Sequence, residues 1–465
     1  MLRRLTVLLL ITGAAFAQRP PNILVITADN LGYSDLGCFG NTVNKTPKID
    51  RLAAEGVRLT SFYTAGATCT VSRATLLTGR YPQSIGLNHQ LSVDENRSGI
   101  GLPQREKLIP QYLKPLGYAT ACFGKWNIGF APGSRPTERG FDEFLGIRSG
   151  NADYYTYVYA GEHDLYRGVE PAYVSGHATD LFAEAACEFM RRKKDQPFFV
   201  YLPFNAVHYP AARNKRPGEP NIWQAPPKFF FAYGYQPDTM DEQQRYRAAV
   251  TALDAGVGRV LEQLEALDLA EDTIVIFYSD NGAFMSPGKG LEVATNKPLR
   301  NGGNTLWDGG IRVAGMVRWP GRIPAHSVSD EALISLDVAP TVVAAAGGKP
   351  ADALEGRDVL PALAGEAPGP QRALYWDYLG QRNPPGPPQA VAARRRTGVP
   401  VVQCEAGRWR NYESRRARTR ARRAPQGRAR GLARQVRPVQ LRRLAKLTGR
   451  TIPRRPQQWA CILAT

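Results

Sequence analysis

The chain has 465 residues, enough for one large core plus a smaller second domain. Its formal charge of +19 suggests a nucleic-acid partner, but the excess is local: residues 381–465 hold 22 of the 60 Lys+Arg and 2 of the 41 Asp+Glu. The first 380 residues carry 38 basic against 39 acidic groups, which excludes a basic nucleic-acid-binding body, and no nucleic-acid partner is expected.

In chain order, residues 1–17 (MLRRLTVLLLITGAAFA) show a basic start, an apolar run and an Ala15-Phe16-Ala17 cleavage site. This is the pattern of a signal peptide, and the run is short for a membrane span. The mature chain is expected to begin at Gln18, in the periplasm or secreted, without a membrane anchor. Asn22–Ala28 is a short, apolar, β-branched run and predicts a buried strand. Thr46-Pro47 opens a helix that stops at Gly56. Tyr118–Phe123, Phe198–Leu202 and Thr273–Ser279 are further strands. Between the last two lies a long amphipathic helix, Glu242 to Leu267, with Val250, Leu253, Val257, Val260, Leu261 and Leu264 facing inward. Another helix covers Val338–Ala346. Strands alternating with helices predict an α/β fold, a large sheet with helices on both faces, occupying residues 18–375. Past Gly380 the periodicity fails. The Arg/Pro-rich segment 381–465 has one lysine among its 22 basic residues, whereas the first 380 residues have 12 Lys to 26 Arg. That shift predicts a C-terminal α+β region truncated or read out of frame rather than a native folded domain.

Open α/β sheets bind ligands beyond the carboxyl ends of their strands. Asp29-Asn30 follows the first strand, Gly124-Lys125-Trp126-Asn127 follows Tyr118–Phe123, Asn205 and His208 follow Phe198–Leu202, and Asp280-Asn281 follows Thr273–Ser279. One Asp-Asn pair after a strand is ordinarily a turn. Two pairs, with a Lys and a His on other strand ends, point to one site for a metal and an anion. Carboxylate and amide oxygens make a hard ligand set that favours Ca²⁺ or Mg²⁺ over zinc. The six cysteines, at 38, 69, 122, 187, 404 and 461, form no CxxC pattern.

The segment Cys69-Thr70-Val71-Ser72-Arg73, leading into LLTGR, resembles the Cys-x-Pro-x-Arg signature of type I, formylglycine-dependent sulfatases of the alkaline phosphatase superfamily, the arylsulfatase-like enzymes. PNILVITADNLGYSDLGCFGN, GKWNIG, YSDNG, LRNGGNTLWDGGIRV and VRWPGRIP are similar to other segments of that family, from Pro21 to Tyr378. The resemblance implies an alkaline phosphatase-like fold and the hydrolysis of aryl or carbohydrate sulfates.

It also implies residue roles. Cys69, placed just before a helix over 72–80, would be oxidised to formylglycine by a formylglycine-generating enzyme. One hydroxyl of the hydrated aldehyde would attack sulfur and the other would later expel sulfate. Asp29, Asn30, Asp280 and Asn281, with the modified Cys69, would hold one Ca²⁺. Arg73 would steady the nucleophile, Lys125, Asn127 and His208 would face the sulfate, and His208 would serve as an acid.

Four positions depart from the family pattern: Asn30 where a second Asp is common, Val71 for Pro, Asn127 for His, and Gly303 where a sulfate-binding Lys stands. One lost charged donor to an oxyanion costs about 3 kcal/mol of transition-state stabilisation. A variant site in which Lys289, Lys297 or Arg300 fills the Gly303 position is one reading. A sulfatase-like binding protein without turnover, and a phosphodiester or phosphonate hydrolase, are the alternatives.

Overall fold

Apolar and β-branched side chains run without a polar break through NILVITA, and this segment is a fully buried strand with both faces covered. In the computed structural model, residues 19–210, 223–285, 293–377, 401–405 and 458–462 are described. The leader 1–17, Lys289 and most of the 381–465 tail lie outside the described residues.

The strands in chain order are β1 (Asn22–Ala28), β2 (Val57–Tyr63), β3 (Ala119–Phe123), β4 (Glu143–Ile147), β5 (Val158–Tyr159), β6 (Glu162–His163), β7 (Leu165–Arg167) and β8 (Glu170–Pro171). They continue with β9 (Phe198–Pro203), β10 (Thr273–Ser279), β11 (Arg312–Arg318), β12 (Ser327–Ser329), β13 (Leu333–Ile334), β14 (Leu374–Asp377), β15 (Val401–Glu405) and β16 (Gln458–Ile462). The longer helices are α1 (Pro47–Ala54), α2 (Cys69–Thr78), α3 (Ala178–Lys193), α4 (Glu242–Ala266) and α5 (Val338–Ala345).

Eleven strands form one mixed sheet in the order β12-β2-β11-β10-β1-β9-β3-β4-β7-β8, with β13 also paired to β2. Its centre is parallel: β1 lies between β10 and β9, and β3 joins β9 to β4. The fold is alkaline phosphatase-like α/β, as the sequence reading expected. Along β1 the side chains alternate between two cores. Leu24, Ile26 and Ala28 join the core under α3 and α4, while Ile23 and Val25 join the one under α2 and α5. All six inward residues expected on α4 are buried, each contributing about 1.5–3 kcal/mol.

Two element starts differ from the sequence reading. β3 begins at Ala119, because the Tyr118 N–H still bonds back to Leu113 and its hydroxyl reaches the Pro21 carbonyl. α2 begins at Cys69 rather than at residue 72: the Ser72 N–H closes the first turn on the Thr68 carbonyl, so Cys69 is the first helical residue. α2 ends on Gly79 at φ 63°, where a side chain is strained and a Cβ would sit 2.8 Å from Ala339.

β14 packs on the body through Leu374 and Trp376, whose indole N–H donates to the Thr64 carbonyl at 2.7 Å. In the Arg/Pro-rich tail, β15 and β16 pair antiparallel, and β16 also pairs with β14, making a three-stranded sheet. No helix among the described residues is long and apolar enough to cross a membrane.

The helices are tied together by a buried carboxylate. Thr46, at the start of α1, makes no side-chain cap. Asp254 of α4 does so instead, accepting from Lys48 N at 3.0 Å and Ile49 N at 2.8 Å. Asp254→Ala is expected to lower stability by about 1–3 kcal/mol, read from the urea midpoint. Burial pushes the Asp254 carboxyl up to about 7 in spite of these bonds. A folded-state value above the unfolded one means this group's contribution falls as pH rises from about 4 to 7. Asp254→Asn should flatten that part of the stability profile; an unchanged profile contradicts the assignment.

Candidate active site

Because β1, β3, β9 and β10 are parallel, their carboxyl ends share one edge of the sheet. The chain leaves β1 into Asp29 and Asn30, both buried. The Asp29 N–H donates to the Ala206 carbonyl and the Asp280 N–H to that of Ala28, which locks three strand ends together. Asn30 turns at φ 60°, a left-handed geometry that Asn tolerates, and its N–H donates to Asp280 Oδ1 at 3.2 Å. The first helical residue of α2 is aimed at this edge: Cys69 Sγ lies 3.1 Å from Asp29 Oδ1 and 3.9 Å from Asn30 Oδ1.

Two cations balance the two carboxylates. Arg73, one turn along α2, donates to Asp280 Oδ2 at 2.7 Å and to the Lys125 carbonyl at 2.9 Å, and it lies 3.5 Å from Asp29 Oδ2. Lys125 Nζ holds the same Asp29 oxygen at 2.5 Å. Burial alone would raise the Asp29 carboxyl, but the Lys125 and Arg73 charges outweigh it and hold it below the usual range. Asp280 has less help. Burial and the Asp29 charge push it up to about 6, against Arg73 and Lys125. Burial and both carboxylates push the Cys69 thiol well up, which holds it in the protonated form.

His208 completes the group: Asp29, Cys69 and His208 bring one ligand atom each within 4.8 Å of one another. Its Nδ1 lies 2.7 Å from the Tyr209 carbonyl, which only accepts, so the proton is on Nδ1 and Nε2 carries the lone pair. Burial pushes the imidazole down to about 4. The neutral ring is therefore set up to accept at Nε2, and acts as an acid only after taking up a proton. Asn205 stays outside the cluster as a backbone support: Tyr154 donates its hydroxyl to the Asn205 and His208 carbonyls.

The oxygen-rich edge suits a hard cation. Asn281 commits its Nδ2 to Asn30 Oδ1 and the Gly282 carbonyl, and its own Oδ1 is buried with no hydrogen-bond partner among the described residues. A buried acceptor oxygen without a donor, beside two carboxylates and a second amide oxygen, fits a divalent ion.

The nine expected site residues thus form one group, with Asn127 joined to α2 through Thr70 Oγ1 at 2.9 Å. Of the three residues considered as replacements at Gly303, Lys289 lies outside the described residues. Arg300 holds its guanidinium 3.7 Å from the centre of the Trp307 ring, and Lys297 is exposed. Gly303 abuts Asn281: a Cβ there would lie 2.6 Å from the Gly282 carbonyl oxygen and 3.3 Å from Asn281 Nδ2. Three supporting residues escaped the sequence reading. Ser72 donates to the Asp280 and Gly66 carbonyls, Tyr154 fixes the loop after β9, and Gln90 bonds to both Thr70 and Asn127. Ser72 sits inside the CTVSR motif, which was a usable signal; Tyr154 and Gln90 sit in loops without one.

Removing Arg73 leaves two buried carboxylates with one cation. Arg73→Ala is expected to lose about 3–5 kcal/mol of stability, measured by denaturant unfolding in EGTA. A loss below 1 kcal/mol contradicts the charge balance described.

The family model for Sulfatase matches residues 21–348. The chain is 34% identical to N-acetylgalactosamine-6-sulfatase of Canis lupus familiaris over 379 residues, covering 76% of this chain and 68% of the relative. It is 34% identical to arylsulfatase A of Homo sapiens over 404 residues, covering 80% and 73% of the two chains. A crystal structure of Ps i-CgsB in complex with k-i-k-neocarrahexaose superposes with a TM-score of 0.69 at 31% identity, covering 78% of this chain and 80% of that one. The strand-end cluster described above lies within the matched region, and the chain belongs to the sulfatase family, as a sulfuric ester hydrolase.

Proposed function

We propose that this protein hydrolyses sulfate esters of carbohydrates or aryl alcohols, using Cys69 converted to formylglycine as its reacting residue and one Ca²⁺ as its metal. The observation that carries this reading is the seat of Cys69. It opens a buried ten-residue helix, with its side chain 3.1 Å from a carboxylate that Lys125 and Arg73 both face. The names of the relatives, a sugar 6-sulfatase and an arylsulfatase, and the oligosaccharide bound to the structural neighbour support the substrate class.

Asp29, Asn30, Asp280 and Asn281 would hold the ion. Formylglycine supplies two hydroxyls on one carbon as nucleophile and release group, and the divalent ion supplies a Lewis acid. The chain's own groups do the rest. The positive end of the α2 dipole attracts an anion. Arg73 and Lys125 keep the buried carboxylates ionised and add positive charge beside the sulfate. Nε2 of His208 is the atom available to move a proton between the reacting oxygens. Every one of these residues falls within 18–375, the proposed catalytic domain, and the tail beyond Gly380 takes no part.

Cys69 through Arg73 are buried in α2, so conversion by a formylglycine-generating enzyme must precede folding, in keeping with an exported protein. A second reading, binding without turnover, draws support from the missing cation at Gly303. A panel of aryl sulfate, sulfated sugar, phosphate and phosphonate esters separates the readings. Turnover is expected on sulfate esters, lost in EGTA, restored by Ca²⁺ and absent in Asp280→Ala. Sulfate affinity without turnover favours the binding reading, and preference for phosphonate or phosphodiester contradicts both.

A further inference from the structure

Thr70 is the second residue of α2, where a backbone N–H has no partner inside the helix. It donates to Gln90 Oε1 at 3.1 Å. That bond fixes the facing of the Gln90 amide, because a main-chain N–H can only donate. The other amide atom, Nε2, is therefore a donor, and it lies 3.0 Å from Asn127 Oδ1. The Asn127 atom that receives it must be oxygen. Thr70 Oγ1 completes the clamp by donating to the Asn127 backbone carbonyl at 2.9 Å.

The result is a directed donor. Among the described residues Asn127 Nδ2 has no hydrogen-bond partner, although the residue is only 1% exposed. Buried donors without acceptors are rare in native folds. An acceptor oxygen would satisfy this one, and Asn127 lies against the helix turn that starts at Cys69.

We infer that Gln90 is a positioning residue: it turns the Asn127 amide so that its N–H donates to an oxygen of the bound anionic ester. The inference rests on the sulfate-ester reading above and deepens it. This chain then holds the sulfate with a neutral donor that keeps its hydrogen at every working pH. Gln90 itself is exposed and bonded only through its amide to this pair, so changing it leaves the core intact.

Binding of inorganic sulfate to the Cys69→Ala protein, measured by titration calorimetry in Ca²⁺ buffer, tests this without turnover or a modified Cys69. A failure of the hydrolase reading therefore does not affect the measurement. Adding Gln90→Ala is expected to weaken sulfate binding about tenfold, the effect of one hydrogen bond to a charged group. Asn127→Ala should weaken it equally, and the two together no more than either alone, because one acts through the other. Gln90→Glu is the sharper variant. Its carboxylate still accepts from Thr70 but cannot donate to Asn127 Oδ1, so the Asn127 amide turns over and presents its oxygen to the anion. Binding should fall further than in Gln90→Ala. Native-like affinity in Gln90→Glu, or additive losses in the double variant, overturns the proposal.

Discussion

Two carboxylates buried at neighbouring strand ends can both stay ionised only if cations are buried with them. Asp29 and Asp280 meet that condition through Arg73 and Lys125, and the rest of the site follows from it. Arg73 must come from a helix that enters the sheet edge, so all ten residues of α2 are buried and its first residue, Cys69, is carried to the carboxylates. Lys125 must reach inward from the end of β3, which places Asn127 against the same helix. The parallel centre of the sheet is what makes these approaches coincide, since four carboxyl ends then open on one edge.

The balance also explains what the departures from the family pattern do. With Asn30 in place of a second Asp, two carboxylates face two cations, and the amide oxygens of Asn30 and Asn281 would be the neutral remainder of the proposed hard ligand set. Gly303 adds no charge, and its close approach to the Gly282 carbonyl leaves no space for a side chain without a backbone shift. In the function proposed, the anion would be held by the N-terminal end of α2, Lys125 and the amide of Asn127.

Much of this was legible in the sequence. β1 and β10 match their expected bounds residue for residue, because a run of six apolar or β-branched residues leading to Asp-Asn has one reading in a doubly covered sheet. The cluster was legible because Asp29, Asn30, Lys125, Asp280 and Asn281 closely follow strands, while Cys69 and Arg73 sit in the CTVSR motif. The start of α2 was not: Thr70 and Val71 are β-branched and weak helix formers, and the turn is closed by the Thr68 carbonyl rather than by a side-chain cap. Closeness in sequence to Gly303 says nothing of side-chain direction: the Arg300 guanidinium lies over the Trp307 ring and Lys297 is exposed. Gln90 and Tyr154 left no trace, since loop residues that act through one amide or one hydroxyl carry no periodicity.

The central claim is that Cys69 reaches its buried seat as something other than a thiol. Burial and two carboxylates hold the thiol protonated, a poor nucleophile in that position. Peptide mass spectrometry of the exported, active protein tests the claim directly. The account predicts that the peptide bearing Cys69 is lighter by about 18 Da in at least a fraction of molecules, the change from a thiol to an aldehyde. A peptide of wholly unmodified mass, from protein whose sulfate-ester turnover survives Cys69→Ala, would contradict it.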